Sequence, residues 1–250
     1  MEQMSLAVSI KDLSFGYKGQ PQKNFSHFNL TIPRGIRFGL FGPNGAGKTT
    51  LMNLMTGLLD YESGSVNILE QEIKDNKKSV AKIAGLVPQD FSFYQELSAA
   101  ENLAFFGAWS GLSKKQIQHK TKELLTILGL WEVRDKPVQK FSGGMKRRVN
   151  LAIGVISQPQ ILFLDEPTVG VDVQTRRAMI DYLIELNKGG TTLVYTSHQL
   201  NEAEDLCQTI ALIDEGKIIA HDSLEKLLNE HRQEGLEGLF LNLTGKDFRD

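Results

Sequence analysis

The sequence predicts an α/β protein with a mainly parallel sheet, an N-terminal antiparallel β layer and an inserted helical lobe. An apolar run at 36–41 is followed by a helical pattern, and this alternation of strand and helix builds parallel sheets. Phe28, Leu30 and Ile32 alternate with polar residues, which is typical of an antiparallel strand with one buried face. The segment at about 91–156 is helical in pattern and interrupts the alternation.

The composition is that of a globular protein. The chain has 250 residues, 41% of them hydrophobic, which suits one α/β domain with an inserted lobe. The formal net charge of −2 predicts no basic surface, so no nucleic-acid partner is expected. The single cysteine, Cys207, is expected to pack as a small apolar residue, and its isolation fits a reducing cytosol. No run of 18 apolar residues occurs, so the chain is not expected to span a membrane.

A first strand is predicted from Val8 and Ile10 onward and ends at Tyr17. An aromatic residue at such a position is more often packed than functional. If a phosphate-binding loop lies nearby, however, the Tyr17 ring could stack on a nucleotide base.

Residues 42–49 match the pattern G-x-x-x-x-G-K-[ST] at every fixed position. In order they are Gly42, Pro43, Asn44, Gly45, Ala46, Gly47, Lys48 and Thr49. The glycines let backbone N–H groups approach a phosphate chain, Lys48 places a positive charge at the β- and γ-phosphates, and Thr49 offers a hydroxyl to Mg²⁺. The helix predicted over 50–56 adds its positive N-terminal end. The position between a strand and a helix predicts a P-loop rather than an ordinary glycine-rich turn.

A short strand predicted over 83–87 ends just before Gln89. Ligand sites of α/β sheets lie at the carboxyl ends of the strands. Gln89 is therefore a candidate ligand of Mg²⁺ or water, with a surface amide as the alternative. The charged stretch 74–78 is predicted to be a solvated surface segment.

Three helix starts are predicted in the helical lobe. Ser98 with Glu101, and Ser113 with Gln116, have the spacing of capping boxes. Ser142 is predicted to cap a third helix.

The two residues after Ser142, Gly143 and Gly144, leave the N–H groups of this third helix bare. A second anion-binding helix end and a plain capped helix are equally compatible with this pattern.

An acidic pair follows the apolar run 161–164, which predicts a central buried strand. Asp165 suits Mg²⁺ binding, and Glu166 suits a general base that polarises water. An ordinary pair of acids at a strand end is the alternative. Asp172 is predicted to cap a helix over 173–187.

A β-branched strand over 192–196 leads to His198. His198 and Glu202 would be a candidate metal pair if both lay on one helix. A histidine at a strand end can instead form a hydrogen bond with a γ-phosphate. Further along, a hairpin and two amphipathic helices are predicted from Ile210 to Leu243, and the mixed charges on the helices predict packing on protein rather than on lipid.

In order and spacing, these motifs resemble those of the ATP-binding cassette ATPases, the nucleotide-binding subunits of ABC transporters. The resemblance covers about residues 6–225: 42–49 resemble Walker A, 161–166 resemble Walker B with its catalytic glutamate, and 141–145 match three of the five residues of the Leu-Ser-Gly-Gly-Gln signature. Met145 replaces the signature glutamine, and only Asp172 of the D-loop carries over. The amino-acid sequences of these motifs are similar to those of export-type subunits, which move drugs, lipids, polysaccharides or sodium.

The resemblance implies a fold, cofactors and site residues. An ATPase domain would cover 1–225, with its helical subdomain at about 91–156, and a helical extension would cover 226–250. The cofactors would be ATP and Mg²⁺. Catalytic residues would be Glu166, His198, Lys48 and Gln89; Mg²⁺ ligands would be Thr49, Gln89 and Asp165; nucleotide contacts would come from Tyr17, residues 42–49, Thr50, Ser142, Gly143, Gly144 and Asp172.

It also implies partners. Two cassettes would pair head to tail, as a homodimer, and close on ATP to drive a separate membrane permease. The chain would then lie in the cytoplasm, on the inner face of the cell membrane. The alternatives are a cassette ATPase that acts on a soluble assembly partner and a regulator that only binds nucleotide.

Overall fold

The computed structural model describes residues 5–19, 23–197 and 200–245. Its strands are β1 Leu6–Phe15, β2 Phe25–Pro33, β3 Arg37–Phe41, β4 Ser63–Ile68, β5 Gln71–Glu72, β6 Ala84–Val87, β7 Ile161–Asp165, β8 Thr192–Ser197, β9 Thr209–Asp214 and β10 Lys217–Ser223. Its α-helices are α1 Lys48–Met55, α2 Ile73–Ile83, α3 Ala99–Trp109, α4 Lys114–Ile127, α5 Gly143–Val155, α6 Val173–Lys188, α7 Leu200–Leu206, α8 Leu224–His231 and α9 Leu236–Thr244. Short 3₁₀ helices lie at Trp131–Val133 and Val138–Lys140.

The larger sheet has the strand order β10-β9-β3-β8-β7-β6. The neighbouring pairs from β9 to β6 are parallel, and only the edge strand β10 runs antiparallel to its neighbour. All five residues of β7 are buried, which explains the continuous apolar run in the sequence. The prediction of a mainly parallel sheet is confirmed, and it places the ends of β3, β6, β7 and β8 along one edge.

The N-terminal layer is a four-stranded antiparallel sheet in the order β2-β1-β4-β5. Ile10 pairs with Leu30, and both side chains are buried in a cluster that includes Leu51 of α1 and Phe38 of β3. This packing confirms the predicted layer and holds α1 between the two sheets.

The helical lobe consists of α3, α4 and α5. Both predicted capping boxes are present: Ser98 Oγ accepts a hydrogen bond from the Glu101 amide at 3.2 Å, and the Glu101 carboxylate accepts one from the Ser98 amide at 2.8 Å. The Ser113 and Gln116 pair has the same two bonds. The lobe packs on the sheet through a shared apolar core.

The charged stretch 74–78 faces solvent, as predicted, and it lies in a helix, α2, whose residues Ile73 and Val80 are buried. Two local expectations differ from the structure. Helix α1 begins at Lys48 rather than at residue 50. Strand β1 ends at Phe15, so Tyr17 lies in the loop that follows.

The C-terminal helices pack on protein, as their mixed charges predict. Leu236, Leu239 and Phe240 of α9 are buried in the core shared with the larger sheet. Glu204 of α7 accepts a hydrogen bond from the Leu236 amide at 2.9 Å. Among the helices of the described ranges, none is both long and apolar enough to cross a bilayer.

Candidate functional site

The loop between β3 and α1 requires glycine at two positions. A Cβ on Gly42 would lie 2.0 Å from the carbonyl oxygen of Ile213, and a Cβ on Gly47 would lie 2.8 Å from the Phe25 ring. Gly47 also has a φ of 108°, in the left-handed region that favours glycine, and it immediately precedes α1. The loop is therefore tightly seated against β9 and β2, with the N-terminus of α1 at its end.

Lys48 is buried at the first turn of α1. Its Nζ donates hydrogen bonds to the carbonyl oxygens of Gly42 at 2.7 Å and Pro43 at 3.2 Å, so the side chain curls back over the loop. Burial lowers the pKa of Lys48, and the carboxylates of Glu166 and Asp165 counteract this effect. One positive and two negative groups therefore share this part of the site.

Asp165 ends the buried strand β7 and is 3% exposed. Its Oδ1 accepts a hydrogen bond from Thr196 Oγ1 at 2.5 Å, and its carboxylate also forms one with the Thr49 side chain. Burial raises the pKa of Asp165, while these two bonds and the charge of Lys48 lower it. A hydroxyl and a carboxylate side by side are the hard oxygen donors that Mg²⁺ prefers beside phosphate, so the residues present fit this ion.

Glu166 follows with a backbone φ of 49°, which non-glycine residues seldom adopt and which occurs at functional sites. Its amide donates to the Thr196 carbonyl at 3.1 Å, which anchors the turn to β8. Gln89, 77 residues earlier, donates from Nε2 to Glu166 Oε2 at 3.0 Å. The predicted general base and the predicted water or metal ligand are therefore in direct contact.

Lys48, Gln89 and Glu166 open into one cavity of about 330 Å³. It is lined by Asn24, Asn44, Gly45, Gly47, Lys48, Thr49, Thr50, Gln89 and Glu166. Tyr17 stands beside it: its hydroxyl is 3.1 Å from Thr50 Oγ1, and its ring meets the ring of Phe15 edge-on. The loop, the strand ends and an aromatic ring thus converge in the arrangement expected for a nucleoside triphosphate.

A family model described as "ABC transporter" matches residues 25–169, more than half of the chain. The chain belongs to the ABC transporter family. A solved structure of an ATP-binding subunit of an ABC transporter superposes with a TM-score of 0.88 at 26% identity, covering 95% of this chain and 99% of that one. A dimeric ATP-binding cassette in a post-hydrolysis state, bound to ADP and Pi, superposes with a TM-score of 0.80 at 26% identity, covering 87% and 98%. The chain accordingly has the fold and the phosphate-binding loop of an ATP-binding cassette.

Two relatives are named as ATP-binding proteins of drug resistance. A linearmycin resistance ATP-binding protein of Bacillus subtilis (strain 168) is 40% identical over 193 residues, which are 77% of this chain and 62% of that protein. A daunorubicin resistance ATP-binding protein of Streptomyces coeruleorubidus is 34% identical over 236 residues, or 90% of this chain and 75% of that protein. The chain therefore spans less than two thirds of the first relative's length.

The signature helix α5 of this cassette starts away from the cavity. Ser142 caps the helix, accepting a hydrogen bond from the Met145 amide at 3.3 Å, as predicted. Added Cβ atoms on Gly143 and Gly144 would meet nothing within 4 Å, so this helix end is open to approach. Asp172 likewise caps α6, accepting from the Thr175 amide at 2.9 Å. None of the predicted contacts Ser142, Gly143, Gly144 and Asp172 lines the cavity of its own chain.

His198 lies outside the described residues, so its predicted contact with phosphate stays a prediction. Glu202 is 3% exposed and accepts hydrogen bonds from the hydroxyls of Thr168 and Tyr195 at 2.7–2.9 Å, and from Ser197 at 2.9 Å. This buried carboxylate therefore serves the packing of α7 against β8. Across the part of the chain that the structure describes, no group of three or more His, Cys, Asp or Glu residues is arranged to hold a metal ion.

Three residues near the site lie outside the motifs that predict it. Thr196 holds Asp165, and Asn24 lines the cavity from the β1–β2 connection. Arg147 of the signature helix contacts the backbone of Gln89 and Val169. Only the fold brings these residues to the nucleotide site, although the basic run at 146–148 could have drawn attention to Arg147.

Proposed function

We propose that this cassette is the ATP-hydrolysing subunit that powers a separate membrane permease of an export-type ABC transporter. The observation that carries the proposal is the contact of Gln89 with Glu166 in the cavity that also holds Lys48 and Thr49. The export assignment is supported by relatives named for linearmycin resistance and Nod factor export. The cassette would then lie in the cytoplasm on the inner face of the cell membrane.

The chemistry follows from the groups around the cavity. Lys48 and the N–H groups at the start of α1 stabilise the negative charge that develops on the transferred phosphoryl group. Thr49, Asp165 and Gln89 would hold Mg²⁺, which neutralises phosphate charge when it is bound. Glu166, held by the Gln89 amide, orients the attacking water and takes up its proton.

A second cassette would complete each site. The open helix end at Ser142 would offer backbone N–H groups to an anion, yet it does not reach the cavity that contains Lys48. We infer that two copies pair head to tail, with Ser142 of one copy facing the nucleotide held by the other. The dimeric form of the structural neighbour supports the pairing of two copies.

The permease would bind the aromatic surface formed by Tyr94, Phe105 and Trp109, whose side chains are 48%, 42% and 84% exposed. Phe105 and Trp109 are four residues apart on α3 and so share a face of that helix. Exposed rings in such a group are typical of protein interaction sites. Tyr94 lies five residues after Gln89. The side chain of Asn102 on α3 accepts a hydrogen bond from the Tyr94 backbone amide and donates one to the Tyr94 carbonyl. A short segment therefore joins this surface to the catalytic groups.

Copurification tests the proposal. Tagged wild-type cassette, expressed in its native host and extracted in mild detergent, should retain a membrane protein that a Phe105→Ala, Trp109→Ala variant loses while its ATPase activity in isolation persists. A matched control, Leu58→Ala, removes an apolar side chain that is 63% exposed and should retain the partner. Retention of a soluble partner instead would favour the assembly-factor alternative.

A further inference from the structure

Arg147 connects three segments of the cassette. It lies on α5, one turn after the open helix end at Ser142. Its Nη1 donates a hydrogen bond to the Gln89 carbonyl, and its Nε donates one to the Val169 carbonyl at 3.3 Å. The guanidinium carbon lies 4.9 Å from the centre of the Phe91 ring. The same side chain therefore touches the signature helix, the Gln89 loop and the segment after Glu166.

Both carbonyls belong to segments that position Glu166. The side chain of Gln89 donates to the Glu166 carboxylate at 3.0 Å. Val169 lies three residues after Glu166, and its amide approaches the Glu166 carbonyl at 3.5 Å. A shift of either segment would move the carboxylate or the amide that holds it.

The chemistry of arginine suits this place. Its planar guanidinium presents N–H donors on three nitrogens in a fixed fork, so it can serve two carbonyls from different segments, whereas the donors of lysine all lie on one nitrogen. Burial lowers the pKa of Arg147, but the carboxylates of Glu166, Asp90 and Asp165 counteract this, and arginine stays charged in proteins. The nearby negative charge thus stabilises the cation where it is.

We propose that Arg147 is a positioning residue that holds the Gln89 loop and the segment after Glu166 in a fixed relation to the signature helix. The proposal rests on the proposed hydrolytic function. The helix end that would serve the partner's nucleotide and the groups that act on the chain's own nucleotide then move as one unit. Arg147 acts through Gln89 and Glu166, and it does not line the cavity itself.

The test compares Arg147→Met with Arg148→Met. Arg148 is the next residue on the same helix and is also partly buried, but it donates to the Leu128 and Gly144 carbonyls, within the helical lobe. Methionine keeps most of the apolar stem in both variants. We expect Arg147→Met to lower kcat for ATP about tenfold or more, since small misplacement of catalytic groups costs that much.

Three further measurements separate positioning from a merely structural role. The Kd for ATP should change less than about threefold in Arg147→Met, because the residues that line the cavity are intact. Arg148→Met should keep kcat within about threefold of wild type even where it lowers Tm. Arg147→Lys should recover part of the loss, since it keeps the charge and one of the two bonds.

Two outcomes overturn the inference: kcat of Arg147→Met within about threefold of wild type, or equal losses of kcat in the two methionine variants. If Arg147→Met fails to fold, Arg147→Lys and Arg148→Lys are compared instead, and equal kcat values overturn it. Wild-type protein in the same assay distinguishes a failure of the proposed function from a failure of the role proposed for Arg147. A wild type without ATPase activity refutes the proposed function, whereas an active wild type with an equally active Arg147→Met refutes only the role of Arg147.

Discussion

The head-to-tail pairing of two cassettes can be tested by complementation between two inactive chains. Lys48→Ala removes the cation at the phosphate-binding loop. Ser142→Arg places a bulky cation at the exposed helix end and leaves the cavity of its own chain untouched, because Ser142 does not line it. If the chain pairs head to tail as proposed, each variant alone forms dimers with two damaged sites. In a mixed dimer, one site carries both changes and the other carries neither.

The expected activity follows from counting sites. If equal amounts of the two chains exchange freely, about half of the dimers are mixed, and each of these has one intact site out of two. Independent sites therefore give about one quarter of the wild-type rate, from two parents that are both close to inactive. Coupling between the sites would lower this value.

Phosphate release after mixing measures the rate, and Ser113→Arg is the matched control. Ser113 is also an exposed N-cap that accepts a hydrogen bond from the third helical residue, so its loss has a similar cost to the helix, about 0.5–2 kcal/mol. We expect Ser113→Arg chains to stay active without a partner. If Ser142→Arg were as active alone as Ser113→Arg, the signature helix would have no role in hydrolysis.

Crosslinking decides the geometry where complementation is weak. Cysteines at Ser142 and Asn44, in a Glu166→Gln background, should join between chains only when ATP is present. The native Cys207 does not interfere, because it is 6% exposed and burial raises the pKa of its thiol. Crosslinks only within single chains would refute the arrangement in trans.

Two further predictions concern the acidic pair. Glu166→Gln should slow ATP turnover by about 10²-fold or more with unchanged ATP binding, because it removes a general base. The variant should also hold an ATP-dependent dimer, which elutes earlier on size-exclusion chromatography. Turnover at the wild-type rate would show that the base is another residue. Burial raises the pKa of Asp165 in the folded protein. The stability of the nucleotide-free fold should therefore decrease as the pH rises from the pKa of the unfolded chain through the raised pKa of the folded protein, because Asp165 then ionises in a buried position. Asp165→Asn should therefore raise Tm at pH 7 by about 2 °C or more in calorimetry without nucleotide or Mg²⁺, yet abolish hydrolysis, and a lower Tm would show that ionised Asp165 stabilises the fold.

Local features could be predicted from the sequence because they depend on neighbouring residues. The caps at Ser98, Ser113, Ser142 and Asp172 each join a side chain to a backbone amide three residues later, and all four are present. The phosphate-binding loop is equally local, since its glycines, lysine and hydroxyl occupy consecutive positions. The alternation of apolar runs with helical segments was enough to predict the parallel sheet.

Tertiary structure alone decided which of these parts meet. Gln89 and Glu166 are 77 residues apart, and they touch because β6 and β7 are adjacent and parallel, so that both strands end at the same edge. Helix α2 was missed because only two of its side chains are buried, and which face is buried depends on the sheet beneath it. The separation of Ser142 from the cavity, and the bridge that Arg147 makes between two loops, are likewise set by how the helical lobe packs on the core. Contacts between distant segments leave no periodic pattern in the chain. The sequence therefore identifies the chemical groups of the site but not the distances between them.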